Sequence, residues 1–127
     1  MSVAYLDTQV AVWLHEAKPR KLTVAAKREI ERKDLRISPM VFLEFDFLYR
    51  RGRLRHSASK VYSDLQTSIG VLLCEFPFPV IAMKAVECGW TDEPFDKIIV
   101  AHAWANDASP LITADESLLK HYSRAVW

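Results

Sequence analysis

An α/β/α sandwich, three layers built round a mostly parallel central sheet, is the fold class this sequence predicts. Two observations carry the expectation. Brief apolar, β-prone runs alternate with longer amphipathic stretches along the whole chain, and strands separated by helices imply crossovers and a sheet covered on both faces. The 127 residues also suit a single domain, 1–127, long enough to bury about two-thirds of its unfolded surface. With 50% hydrophobic and 26% charged residues, the composition excludes a disordered chain.

The elements follow in order. Val3–Leu6 is the first strand, ended by Asp7-Thr8, which can cap the helix carrying Val10, Trp13 and Leu14. Pro19 stops that helix. Residues 23–33, rich in Ala, Lys, Arg and Glu, suit a solvated helix, and Leu35–Ser38 is the second strand. Pro39 opens a helix to about Arg51, with Gly52 placed to close it. Residues 57–69 repeat Val61, Leu65 and Ile69 at helical spacing, and Val71–Phe76 has the pattern of a buried strand. Residues 80–88 suit a short helix closed by Gly89, and Pro94 opens a long apolar helix to about Asn106. Leu111-Ile112-Thr113 is the last strong strand signal, followed by a short helix over 116–121 and an edge strand at 125–127.

Several functions are excluded by counting. Gly52, Gly70 and Gly89 are the only glycines and stand far apart, whereas phosphate-cradling loops need glycines within a few residues. A formal charge of +1 gives no strong global field, so nucleic-acid affinity must come from a local patch. Cys74 and Cys88 form neither a disulfide framework nor a zinc motif and are expected as reduced core thiols. No basic leader precedes Asp7 and no apolar stretch is long enough for a membrane span. The expectation is a cytoplasmic protein.

Four carboxylates stand at telling positions. Asp7 follows the first strand and Asp115 lies two residues past the last strong one. In a parallel sheet both project at the same carboxyl edge, although each would also serve simply as a helix cap. Glu44 shares a helical arc with Met40, Val41, Phe45, Phe47 and Leu48, an arc expected to face the core. A carboxylate there needs a partner or an ion, whereas Asp46 lies one turn from Arg50 and suits an ordinary surface pair. Asp96 falls between Phe95 and Ile98-Ile99-Val100-Ala101, an apolar setting for a charge. Four such acids without a glycine-rich loop suggest a hard divalent cation, Mg²⁺ or Mn²⁺, which prefers oxygen ligands.

Asp7-Thr8 after the first strand, Glu44 in mid-helix, Glu93-Pro94-Phe95-Asp96-Lys97, and Thr113-Ala114-Asp115 together resemble the PIN-domain ribonucleases. Within these the likeness is to the short VapC-type toxins of toxin–antitoxin pairs, and it spans the whole chain. The resemblance implies that Asp7, Glu44, Asp96 and Asp115 are the metal-binding, catalytic acids. Thr113 matches the Ser/Thr beside the last acid, and Thr8 and Glu93 stand next to the set. Such toxins commonly carry Asp where Glu93 stands and Arg where Lys97 stands, so Glu93 either supports the site or merely caps a helix. The resemblance further implies cleavage of structured RNA, homodimerisation and neutralisation by a cognate antitoxin.

Arg50, Arg51, Arg53 and Arg55, with His56, form the densest positive run. It follows the Glu44 helix and suits either phosphate contacts at the rim of the site or a solvated helix end. Lys18, Arg20 and Lys21 form a weaker cluster, and His15, His56, His102 and His121 are expected at or near the surface. Apolar surface on the second and fourth helices would suit an antitoxin or a second copy. A phosphorelay receiver would need an adjacent acid pair after the first strand and a Lys after the last; a haloacid-dehalogenase-type phosphatase would need an acid where Gln9 stands. The serious alternative is a PIN-like module that binds RNA or a partner without catalysis.

Overall fold

Every strand of the central sheet runs parallel to its neighbours, in the order β3–β2–β1–β4–β5, in a computed structural model that describes residues 2–127. The elements are β1 (Val3–Leu6), α1 (Thr8–His15), α2 (Val24–Arg32), β2 (Asp34–Ile37), α3 (Pro39–Arg50), α4 (Ala58–Ile69), β3 (Leu72–Leu73), α5 (Phe78–Val86), α6 (Pro94–Ala105), β4 (Leu111–Ile112), α7 (Glu116–His121) and β5 (Ala125–Val126). A single 3₁₀ turn, Pro19–Lys21, separates α1 from α2. Parallel neighbours need crossovers, which the helices supply as the outer layers of a sandwich.

The strand order positions the site. The chain steps outward from β1 to β2 and β3, then crosses back to lay β4 on the other side of β1. Such a reversal leaves a crevice beyond the carboxyl ends of the two diverging strands, here β1 and β4. Ala4, Tyr5, Leu6, Leu111 and Ile112 are almost fully buried, so the crevice has a rigid floor.

Local chemistry explains the helix ends. Thr23, Ser38 and Ser57 accept backbone N–H bonds as caps of α2, α3 and α4. Gly52 and Gly70 turn the chain after α3 and α4 at φ of 73° and 72°, a region that costs residues with a Cβ. Gly89 has no such role. The chain leaves α5 through Glu87 and Cys88, whose N–H groups bond back to Lys84 and Ala85.

Three other expectations need correction. The β3 strand covers only Leu72–Leu73 rather than residues 71–76. It lies at the sheet edge, where Leu72 is 40% exposed and the Leu73 N–H bonds the Tyr62 hydroxyl instead of another strand. On α3 the buried arc is narrower than expected: Val41 and Phe45 are fully enclosed, whereas Phe47 is 47% exposed and carries the Arg51 guanidinium over its ring at 4.4 Å. Exposed apolar surface is larger on α3 (Leu43, Phe47) and α5 (Phe78, Val80, Met83, Val86) than on α2 and α4, which expose Val24 and Ile69.

Phe45→Ala should therefore lower the unfolding free energy by about 3–5 kcal/mol, the cost of a large cavity. Phe47→Ala should stay within about 1 kcal/mol of wild type. Urea unfolding curves measure both; equal losses would contradict the α3 orientation.

Candidate active site

Three helices begin at the crevice, and each begins on an acid. Asp7 caps α1, its Oδ1 accepting the Thr8 N–H at 2.8 Å. Glu93 caps α6, accepting the Phe95 N–H at 2.7 Å. Asp115 caps α7, accepting from the N–H groups of Ser117 and Leu118 at 2.8 and 3.1 Å. Capping and a shared site are thus not alternatives here; the same side chains do both, aided by the positive ends of the helix dipoles.

Two threonines knit the set together. Thr113, fully buried at the end of β4, donates its hydroxyl to Asp7 Oδ2 at 2.6 Å and accepts the Asp115 N–H at 3.0 Å. Thr8, also buried, donates its hydroxyl to Glu44 Oε1, which ties α1 to α3. Asp7 and Glu44 are half-buried, whereas Asp115 is exposed at the rim. Asp46 pairs with Arg50 at 2.8 Å on the surface, as its spacing predicts.

The acids feel one another. Burial pushes the Asp7 carboxyl up, and Asp115 adds to the effect against the bonds from Thr113 and Thr8. Burial raises Glu44 too, with Asp7 and Glu93 adding to it while the Thr8 hydroxyl opposes. Asp96, in the first turn of α6, is pushed up to about 6 by burial and then by Asp7, Asp115, Glu93 and Glu44. No Lys or Arg offsets these three shifts. Lys97 acts instead near Cys88, where it partly offsets the rise that burial gives that thiol.

As a donor set, these oxygens fit a hard divalent cation: they are anionic and crowded, with no offsetting protein cation among them. Their positions are open, however. Among the described residues no three His, Cys, Asp or Glu side chains are gathered closely enough to chelate an ion. Asp7, Glu44 and Asp115 lean on their own hydroxyl or amide donors, and like charges repel. Ligation therefore requires side-chain movement across the crevice.

The basic residues lie elsewhere. Arg50, Arg51, Arg53 and Arg55 are exposed, and Arg50 is engaged by Asp46. Arg55 and Lys18, from two clusters distant in sequence, line one groove of about 410 Å³ with His15 and His56, and none of the four acids lines it. His102 departs from expectation. It is buried, with Nδ1 2.9 Å from the Ser38 hydroxyl and 3.0 Å from the Ile98 carbonyl, and burial lowers its pKa so that it stays neutral at pH 7. Its spacing within the apolar stretch of α6, three residues beyond buried Ile99, was the available signal.

The molecule is an all-parallel α/β sandwich with acids around its switch point. The PIN-domain family model matches residues 4–124, and this chain belongs to the PIN-domain family. Solved structures with the same fold include VapBC2 from Rickettsia felis, bound to a DNA fragment from their promoter. It has a TM-score of 0.68 at 14% identity, covering 97% of this chain and 95% of that one. DNA-bound VapBC from Salmonella typhimurium matches at 0.61 and 16%, covering 98% and 96%. PAE2754 from Pyrobaculum aerophilum matches at 0.58 and 22%, covering 98% and 82%. No curated protein matches the sequence.

The raised carboxyl of Asp96 has a signed consequence for metal-free protein. Its folded value of about 6 exceeds the unfolded value, so the native state holds the proton more tightly. Stability should fall as pH rises from about 4 to about 6 and then level off. Asp96→Asn should flatten that slope and unfold at a higher temperature than wild type at pH 7. Thermal melts in EDTA across this pH range test it; an unchanged slope would remove Asp96 from the cluster.

Proposed function

We propose that this chain is a divalent-metal-dependent endoribonuclease, one PIN-like domain over residues 1–127 acting as the cytoplasmic toxin of a toxin–antitoxin pair. The observation that carries the reading is the crowding of Asp7, Glu44, Asp96 and Asp115 at the switch between β1 and β4 with no offsetting protein cation. Family membership and the four-part sequence resemblance to VapC-type toxins support it.

In this reading the four acids hold Mg²⁺ or Mn²⁺. When bound, the ion supplies a more acidic water and neutralises charge building on the phosphate. The chain's own residues do the rest. Thr113 holds Asp7, and Thr8 holds Glu44, which keeps one oxygen of each anchored while the carboxylates draw together on an ion. A carboxylate of the set accepts the proton of the attacking water. Glu93 both caps α6 and adds negative charge beside Glu44 and Asp96, which makes it a supporting residue. Arg51, Arg53 and Arg55, which form no ion pair among the described residues, take RNA phosphates, joined by Arg50 when it releases Asp46.

Protein partners follow from the surface. The exposed side chains of α3 and α5 leave apolar area of the kind that another protein covers, in keeping with a cognate antitoxin and a homodimer. No helix among the described residues is long and apolar enough to cross a membrane.

Asp7→Asn should reduce RNA cleavage by orders of magnitude while keeping the α1 cap, since Asn caps about as well as Asp. In EDTA the variant should melt at or above the wild-type temperature, and added Mg²⁺ should raise the wild-type melt more than the mutant's. Wild-type cleavage with an unchanged Mg²⁺ response would remove Asp7 from the site. RNA binding without EDTA-sensitive cleavage by wild type would favour the non-catalytic module.

Replacing Arg51, Arg53 and Arg55 together with Ala should weaken RNA binding and flatten its salt dependence, each lost phosphate contact lowering the logarithmic slope by about one unit. Affinity for Mg²⁺ should hardly change, because salt screens exposed cations. Binding titrations at several salt concentrations read the slope; an unaltered slope would make the run a solvated helix end.

A further inference from the structure

A groove of about 570 Å³ opens on the flank of the sheet, lined by strand residues Val3, Tyr5, Arg36 and Leu72, by Tyr62 and Gln66 of α4, and by Asn106 after α6. None of the four acids lines it. Helix α6 separates the two places: Asp96 lies in its first turn and Asn106 at its C-cap, ten residues or about 15 Å along the axis.

Arg36 is the unusual residue here. It pairs in register with Tyr5 on one side and Leu72 on the other, in mid-strand of a parallel sheet, where apolar residues are the rule. The side chain is half-buried and in no ion pair among the described residues. Among the described residues its one side-chain hydrogen bond runs from Nη1 to the Leu35 carbonyl at 3.1 Å. The remaining guanidinium donors have no acceptor among the described residues and open onto the groove, free to meet an anion there.

The surroundings are organised rather than loose. The Tyr5 hydroxyl, on a ring that is 1% exposed, donates to Cys74 Sγ at 3.1 Å and accepts from Asn106 Nδ2 at 2.9 Å. Burial raises the Tyr5 phenol well above its ordinary value, so this hydroxyl remains neutral and the Asn106 amide is held in one orientation. Tyr62 is fixed by the bond it accepts from the Leu73 N–H, and partly exposed Phe76 adds a second aromatic ring to the lining. The only carboxylate in the lining belongs to exposed Glu75.

We propose that this groove binds a nucleoside monophosphate unit, with the phosphate on the Arg36 guanidinium and the base against the aromatic side chains of Tyr62 and Phe76. The volume lies within the range of small-ligand sites. A guanidinium fork matches phosphate oxygens, aromatic faces accept any base, and the Gln66 and Asn106 amides can serve base edges. A bare inorganic anion would leave the aromatic wall unused. The unit is either a free nucleotide or part of an RNA strand; the site is independent of the acids and of any cleavage they perform.

Calorimetric titration of the whole chain in EDTA with 5′-AMP, adenosine, inorganic phosphate and a single-stranded oligo(A) RNA tests the proposal. AMP should bind saturably and at least tenfold more tightly than adenosine or phosphate. Arg36→Gln should weaken AMP at least tenfold, and Arg36→Lys, which keeps charge without the fork, should fall between. If the RNA binds more tightly than AMP and shares the Arg36 dependence, the natural ligand is a strand; if it fails to compete with AMP, it is the free nucleotide. Absence of AMP binding in EDTA, equal affinity for adenosine and AMP, or AMP binding indifferent to both Arg36 variants would overturn the proposal. Should Arg36→Gln fail to fold in a thermal melt, Arg36→Lys and the wild-type comparison of AMP with adenosine decide.

Discussion

Negative charge that the fold must hold at one point, without a protein cation to offset it, is the constraint on which the rest of this structure depends. The acids occupy the one place in a doubly wound sheet where strands diverge and helix N-termini converge. Asp7, Glu93 and Asp115 each cap a helix there, so amide donors and helix dipoles supply the partial positive charge that no Lys or Arg contributes. Thr8 and Thr113 add hydroxyl donors. These devices hold the carboxylates but do not offset burial and, after it, mutual repulsion, which together push Asp7, Glu44 and Asp96 upward. In the proposed function, a divalent ion among these acids would relieve repulsion already present in the free protein.

Much of this was legible in the sequence, for reasons that differ by residue. Asp7 and Asp115 stand just beyond apolar runs, and in a parallel sheet position along the strand is enough to put them on the same edge. Glu44 could be singled out by its helical wheel, because a carboxylate amid apolar neighbours is costly wherever it ends up. The same wheel misjudged Phe47, since a wheel marks an arc but not how wide a partner will cover it. The cation stacked on that ring is what an exposed aromatic next to Arg51 permits. Strand β3 and the turn at Gly89 were misread because an apolar run and a glycine look alike in sequence whether the sheet ends there or continues.

Tertiary pairings were the least legible. Nothing in Thr8 itself announces a bond to Glu44, 36 positions away, and His102 gives no sign that Ser38 is within reach. Arg36 is a more instructive case. A single charge in a short strand reads as a solvated edge residue, yet the sheet order puts β2 between β1 and β3. Only topology turns that charge from ordinary to exceptional.

Charge also has a geography that the formal total of +1 conceals. The acids collect at the carboxyl ends of β1 and β4, the free arginines follow α3 on the turn toward α4, and Arg36 faces a third place on the sheet flank. A polyanion meets attraction on two of these surfaces and repulsion on the third. Near-neutrality thus reflects the sum of separated fields rather than a uniformly uncharged surface.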